Sequence, residues 1–302
     1  MPGPTPKAGP TAPPDVVHLL SFDVEEYFQV QAAAKRLPPQ RWGDWPLRLA
    51  APVDRILDLL AEGSVTATFF VLGWVARHER AVVRRIADAG HEIACHGMTH
   101  RMIGGLSRDE FAAEVREARG LLEDIAGRAV IGHRAPTFSI TRETAWALDA
   151  LAEAGFAYDA SVFPIRHDRY GVPGAPPGPH RAVGPGGGDI LEIPPLTVRL
   201  LGADRPAGGG GYLRLLPVGL IGRALRSAQR QGRPGMIYLH PWELDPDQPV
   251  LPMSPTARWR HRVGLKKTES KLRYLLDRFR FTAVAGRLDE LRALAGQTYT
   301  YG

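Results

Sequence analysis

The sequence predicts an α/β fold: a distorted (β/α) barrel of about seven strands in a single domain. Three observations point there. Short apolar runs rich in β-branched and aromatic residues alternate with amphipathic stretches of helical period. A strand-then-helix order implies parallel pairing through right-handed crossovers. Roughly seven such units in 302 residues fit a closed barrel better than an open sheet, and a barrel of that length is commonly one domain.

The elements follow in order. Val16–Val24 reads as a strand, and Pro52–Glu62 as a helix stopped by Gly63. Val65–Leu72 is a second strand, Val75–Ala89 a helix stopped by Gly90, and His91–Cys95 a third strand. Ser107–Ala126 is a long helix in which Ser107 and Glu110 have the spacing of a capping box. Val130–Gly132 is strand, and Thr141–Ala154 is helix with Thr141 as its cap. Ala157–Phe163 and Ile190–Val198 are strands, Val218–Gln231 is helix, and Met236–His240 is strand again. Arg166–Asp189 and Leu201–Pro217 interrupt the pattern as long loops, the second carrying Gly208-Gly209-Gly210-Gly211-Tyr212. Long loops on such a domain are often binding or lid elements.

Composition excludes several classes. Hydrophobic residues are 44% and charged residues 23% of the chain, which argues against a disordered, collagen-like or coiled-coil protein. No apolar run approaches the ~20 residues of a membrane helix. The net charge is +6, and only five of the 38 basic residues are lysine. That permits anionic partners, but no nucleic-acid motif accompanies it. The single cysteine, Cys95, rules out an intramolecular disulfide. Met1–Pro14 reads as a flexible Pro/Gly-rich leader without the apolar core of a signal peptide, so a cytoplasmic location is expected. Residues 15–302 form the domain.

In a barrel, function gathers where strands end. Strand one runs out through Asp23-Val24-Glu25-Glu26, and Asp23 and Glu25 share a face. Two carboxylates so close repel unless a cation or a shared proton intervenes. Strand three ends in His96-Gly97-Met98-Thr99-His100; two imidazoles four apart converge on one metal if the segment turns helically. HxxxH recurs by chance, but with a carboxylate it makes three ligands and leaves room for water. Strand four ends in Arg134, which can orient a carboxylate. The last strand ends in Leu239-His240, a suitable general acid.

This ordered set resembles the NodB-homology polysaccharide deacetylases, carbohydrate esterase family four. The resemblance implies removal of acetyl groups from a glycan and a divalent metal, zinc first. It implies Asp23 as catalytic base, His96 and His100 as metal ligands, Arg134 as the residue positioning the base, and His240 as catalytic acid. The family's second, adjacent aspartate is replaced here by Val24, so the third ligand is Glu25, with Glu26 as the alternative. Asp159, in Tyr158-Asp159-Ala160-Ser161, receives no firm role. The strings Asp23-Val24-Glu25, Gly209-Gly210-Gly211-Tyr212 and His240-Pro241-Trp242-Glu243 narrow the likeness to deacetylases of exosortase/PEP-CTERM exopolysaccharide loci.

Tyr212 and Trp242 are the candidates for stacking on sugar rings. Leu272, Leu275, Leu276 and Phe279, set among lysines and arginines, suit packing on the domain, with peripheral membrane contact as the other reading. A related amidase acting on a small nitrogen compound and a non-catalytic glycan-binding protein on the same fold are the competing functions.

Overall fold

The computed structural model describes residues 16–167, 169–200 and 202–302. The expected leader, together with Asp168 and the first residue of the second loop, Leu201, lies outside them. The first half of the chain contains β1 (His18–Val24), α1 (Ala50–Glu62), β2 (Thr68–Val71), α2 (Gly73–His78), α3 (Arg80–Asp88), β3 (Glu92–Cys95), α4 (Arg108–Ala126), β4 (Gly132–His133), α5 (Trp146–Glu153) and β5 (Tyr158–Asp159). The second half contains β6 (His180–Val183), β7 (Asp189–Glu192), β8 (Thr197–Leu200), β9 (Ala203–Pro206), α6 (Gly210–Leu215), α7 (Val218–Arg230), β10 (Met236–Leu239), α8 (Pro255–Arg262), α9 (Thr268–Leu276), β11 (Phe281–Thr282), α10 (Leu288–Leu294) and β12 (Thr298–Thr300).

Among the described residues the main sheet has ten strands, in the order β10-β1-β2-β3-β4-β5-β7-β6-β12, with β11 also paired to β1. The run from β10 to β7 is parallel throughout, β6 is antiparallel to β7, and β8 and β9 form a separate hairpin. The sheet is thus larger than the expected seven strands, and no ladder closes it. Among the described residues only isolated bridges, Pro195 to Met236 and Gly209 to Tyr238, reach from the segment after β7 back to β10. Proline explains the gap. Pro194 and Pro195 carry no N–H, so the predicted strand Ile190–Val198 splits into β7 and β8.

Both faces of the parallel strands are buried, as their apolar character demands. On β1, Leu20, Phe22 and Val24 face the helical layer and join the larger core, which includes Val115 and Leu122 of α4. The alternate residue Leu19 packs inside the curved sheet with Phe70, Ala94, Tyr158 and Met236. Val284 and Leu291 of the C-terminal segment plug this inner cluster from below. Continuing up the same face of β1, the period of two places Ser21 and then Asp23 at its C-terminal end.

Local chemistry explains the remaining boundaries. Ser107 and Glu110 form the expected capping box, and Gly127 ends α4 in the left-handed region at φ 66°. The predicted helix Val75–Ala89 is two helices, α2 and α3, broken at Glu79 where φ is −127° and ψ is 45°. Thr141 does not cap α5, which begins at Trp146 after a turn. The two expected loops hold β6, β9 and α6. On α9 and beyond it, Leu272, Leu275 and Phe279 are buried and Leu276 is partly buried, so the stripe packs largely on the domain. Among the described residues no helix is long and apolar enough to cross a membrane.

Candidate active site

Four strand ends meet at one cleft of about 620 Å³, lined among others by Asp23, Glu25, His96, His100, His240 and Trp242. β1 delivers Asp23 from its last turn and Glu25 just beyond it. β3 delivers His96 and His100, β4 leads into Arg134, and β10 leads into His240. The segment between the two histidines is not helical. It is a bend in which Gly97 (φ 75°) and His100 (φ 54°) adopt positive φ, so the helical turn expected for HxxxH is replaced by left-handed backbone. Thr137 (φ 59°) and Phe138 (φ 52°) also line the cleft, so three of the four positive-φ non-glycine residues among the described ones belong to this cavity. Such conformations cost on the order of 1–3 kcal/mol each and persist where the surroundings impose them.

Glu25, His96 and His100 each offer a ligand atom within 4.8 Å of the others. The Glu25 Oε2 atom is 2.7 Å from His100 Nε2. The His96 Nδ1 atom is 2.8 Å from the Arg134 carbonyl oxygen; with its proton donated there, Nε2 keeps its lone pair for the cavity. Burial pushes the His96 imidazole down to about 4, so it stays neutral. Burial alone would raise the Glu25 carboxyl, but His100, through its charge and hydrogen bond, and then His240 hold it at about 2. A buried carboxylate and two imidazole nitrogens are a fitting set for a divalent cation. Glu26 turns away: its carboxylate accepts from the backbone N–H groups of Arg48 and Leu49.

Asp23 is held from behind. Arg134, fully buried, donates from Nη1 to Asp23 Oδ1 at 2.6 Å and to Ser21 Oγ at 3.0 Å, and from Nε to the Ala160 carbonyl at 3.2 Å. Its guanidinium lies 4.0 Å from the centroid of the Phe70 ring. The second Asp23 oxygen is 4.0 Å from His240 Nε2.

His240 has a partner that sequence reasoning missed. Its Nδ1 lies 3.2 Å from Glu243 Oε2, while the His240 backbone N–H donates to the same carboxylate oxygen at 3.0 Å. Arg214 Nε donates to the other Glu243 oxygen at 2.7 Å, both side chains being buried. Burial alone would lower the His240 imidazole, but the Glu243 hydrogen bond and the charges of Glu25, Glu243 and Asp23 raise it to about 9. The i, i+3 spacing of His240 and Glu243 was the available signal, since it is the spacing of a capping box. No sequence signal marks Arg214. Asp159 sits away from the cleft with His133, 2.8 Å from its Nδ1, both fully buried.

The two residues expected to stack on sugars lie differently. Trp242 lines the cleft but is only 6% exposed, stacked against His240 and His261, with its Nε1–H donated to Glu25 Oε1 at 3.2 Å. Tyr212 is not among the residues that line the cleft; it is half-buried and hydrogen-bonded to Tyr170, which does line it. The glycines before it have a steric reason. A Cβ at Gly208 would stand 2.5 Å from the Met236 carbonyl oxygen, one at Gly209 2.5 Å from the Tyr238 hydroxyl, and one at Gly210 1.8 Å from Glu243 Oε2. The backbone passes so close over β10 and Glu243 that no side chain fits.

Residues 44–158 match the family described as Polysaccharide deacetylase, and residues 160–289 match a domain of unknown function, DUF3473. Over residues 44–158 the chain is thus similar to the polysaccharide deacetylases. His96, His100 and Arg134 fall in the first match and His240 in the second, while Asp23 and Glu25 precede both. The chain is 35% identical over 105 residues to a chitooligosaccharide deacetylase of Sinorhizobium fredii, covering 34% of this chain and 46% of the relative. It is 36% identical over 75 residues to a peptidoglycan-N-acetylglucosamine deacetylase of Bacillus cereus, covering 25% and 27%. The chain thus spans less than half the length of these curated relatives. A Mycobacterium smegmatis structure, provisionally described as a polysaccharide deacetylase, shares the fold with a TM-score of 0.63 at 20% identity, covering 98% of this chain and 97% of that one.

Proposed function

We propose that this chain is a metal-dependent hydrolase that removes N-acetyl groups from a bacterial polysaccharide, an exopolysaccharide or its intermediate, in the cytoplasm. The observation that carries the reading is the convergence on one cleft of Glu25, His96 and His100 with two separately supported groups, Asp23 on Arg134 and His240 on Glu243. The names of the curated relatives support the substrate class.

A divalent ion held by Glu25, His96 and His100, zinc first, would polarise the acetyl carbonyl and acidify the attacking water. Asp23 takes a proton from that water. Arg134 keeps Asp23 oriented through the hydrogen bond from its Nη1. His240 donates its Nε2 proton to the departing amide nitrogen, so the C–N bond breaks to give amine and acetate. Glu243 fixes the ring by accepting at Nδ1. Trp242 holds Glu25 through its indole N–H, a positioning role in place of sugar stacking.

The test is metal content by elemental analysis alongside acetate release from N-acetylated oligosaccharides. Wild type is expected to hold about one ion per chain, and H96A/H100A to lose both ion and activity. D23N is expected to keep the ion and lose turnover. Absence of metal in wild type after incubation with zinc or cobalt would refute the mechanism and favour a glycan-binding role.

A further inference from the structure

We infer that the cleft takes a glycan bearing an anionic substituent, a carboxylate or phosphate on or beside the acetamido sugar, recognised by Arg169 and Arg260. This inference rests on the glycan reading above and names the substrate class it leaves open.

The argument begins with how this chain uses its arginines. Exposed arginines elsewhere on the domain are commonly paired with a carboxylate: Arg80 with Asp124, Arg85 with Asp54, Arg108 with Glu153. Arg169 and Arg260 line the active-site cleft itself, both are exposed, and among the described residues neither guanidinium has a carboxylate within ion-pair distance. They come from distant parts of the chain, one following β5 and the other on α8, yet face the same cavity. Arg260 also lies within electrostatic reach of the Tyr212 phenol, where its charge works against the effect of burial.

The carboxylates in the cleft do not answer these cations. Asp23 is engaged by Arg134, and Glu25 by His100 and Trp242. Two guanidinium forks lining one cavity, with no carboxylate partner among the described residues, focus a positive potential where the substrate enters. Each fork matches the planar or tetrahedral oxygens of a carboxylate or phosphate in a bidentate way. A neutral glycan uses neither property; for it, the polar wall residues Gln31, Ser254 and Thr256 would suffice.

The test is titration calorimetry on the purified full chain, with and without added zinc. One matched pair is a hyaluronan tetrasaccharide, which carries acetamido groups and carboxylates, and the same tetrasaccharide with its carboxylates methyl-esterified. A second pair, UDP-N-acetylglucosamine and N-acetylglucosamine, reads a phosphate source. In at least one pair the anionic member is expected to bind at least ~10-fold more tightly at low salt, with the ratio shrinking as salt screens the contact. In R169Q/R260Q that ratio is expected to fall to about one. Among the described residues neither side chain makes a hydrogen bond or ion pair within the fold, and thermal unfolding of the double variant checks that it stays folded.

Ratios near one in both pairs for wild type, or a ratio that survives in R169Q/R260Q, would overturn the inference. Acetate release from the esterified tetrasaccharide is read separately. Charge-selective binding without any acetate release would sink the hydrolase reading while leaving the anion site standing.

Discussion

The Asp23–Arg134 pair gives a sharp energetic prediction, because its two members depend on each other unequally. Asp23 is 2% exposed, and its contacts are Arg134 at 2.6 Å and the more distant His240 at 4.0 Å. In R134M a buried carboxylate loses its countercharge, a change that costs about 3–5 kcal/mol. Arg134 is less dependent. In D23N it keeps Ser21 Oγ, the Ala160 carbonyl and the Phe70 face, and the asparagine oxygen still accepts from Nη1. The loss is then that of one charge-assisted hydrogen bond, about 1.5–3 kcal/mol at most. The entropy of unfolding is about 2.1 cal/mol/K per residue, or about 0.6 kcal/mol/K for this chain. R134M should therefore lower the melting temperature by about 5–8 °C and D23N by less than about 5 °C. The double variant R134M/D23N should be no less stable than R134M, because the orphaned charge is gone. The assay is thermal unfolding of metal-free protein in chelator, so that ion binding does not enter. Additive single effects, or D23N as damaging as R134M, would refute the account of a buried carboxylate held by one cation.

Other consequences follow from the same geometry. Gly210→Ala must displace Glu243, whereas Gly211→Ala meets nothing within 4 Å; we expect at least a ~10-fold fall in kcat for the first and little change for the second. Burial alone would raise the Glu243 carboxyl, but the Arg214 charge and the His240 hydrogen bond hold it at about 2. A carboxyl lowered on folding contributes stability above its ordinary value of 4.5 and loses it as pH falls from there toward 2. Wild type should therefore lose more stability between pH 5 and pH 3 than E243Q, as read by urea unfolding at each pH; equal slopes would contradict the pairing. Cys95 is fully buried, and burial pushes its thiol up to about 12, so a thiol reagent should leave it unmodified in the native chain and label it in denaturant.

The sequence by itself determined the class of the fold and the identity of the site's charged groups. Periodicity is a local property: Leu19, Ser21 and Asp23 share one face of β1 whatever surrounds them. A capping box at Ser107 and Glu110, and stop signals such as Gly63, are readable within four residues. What the sequence could not decide depends on contacts between distant segments. Pro194 and Pro195 prevent a ladder between the chain after β7 and β10, so the predicted barrel is a ten-stranded sheet joined across only by isolated bridges. Glu25 rather than Glu26 enters the cleft because backbone N–H groups at Arg48 and Leu49, more than twenty residues away, capture the Glu26 carboxylate. Arg214 reaches Glu243 across 29 residues, and no spacing rule links them. Trp242, read as a sugar platform, is packed between imidazoles and donates to Glu25 instead. Side-chain type and local period are encoded one residue at a time, whereas hydrogen-bond partners in a buried site are chosen by the packing of the whole chain.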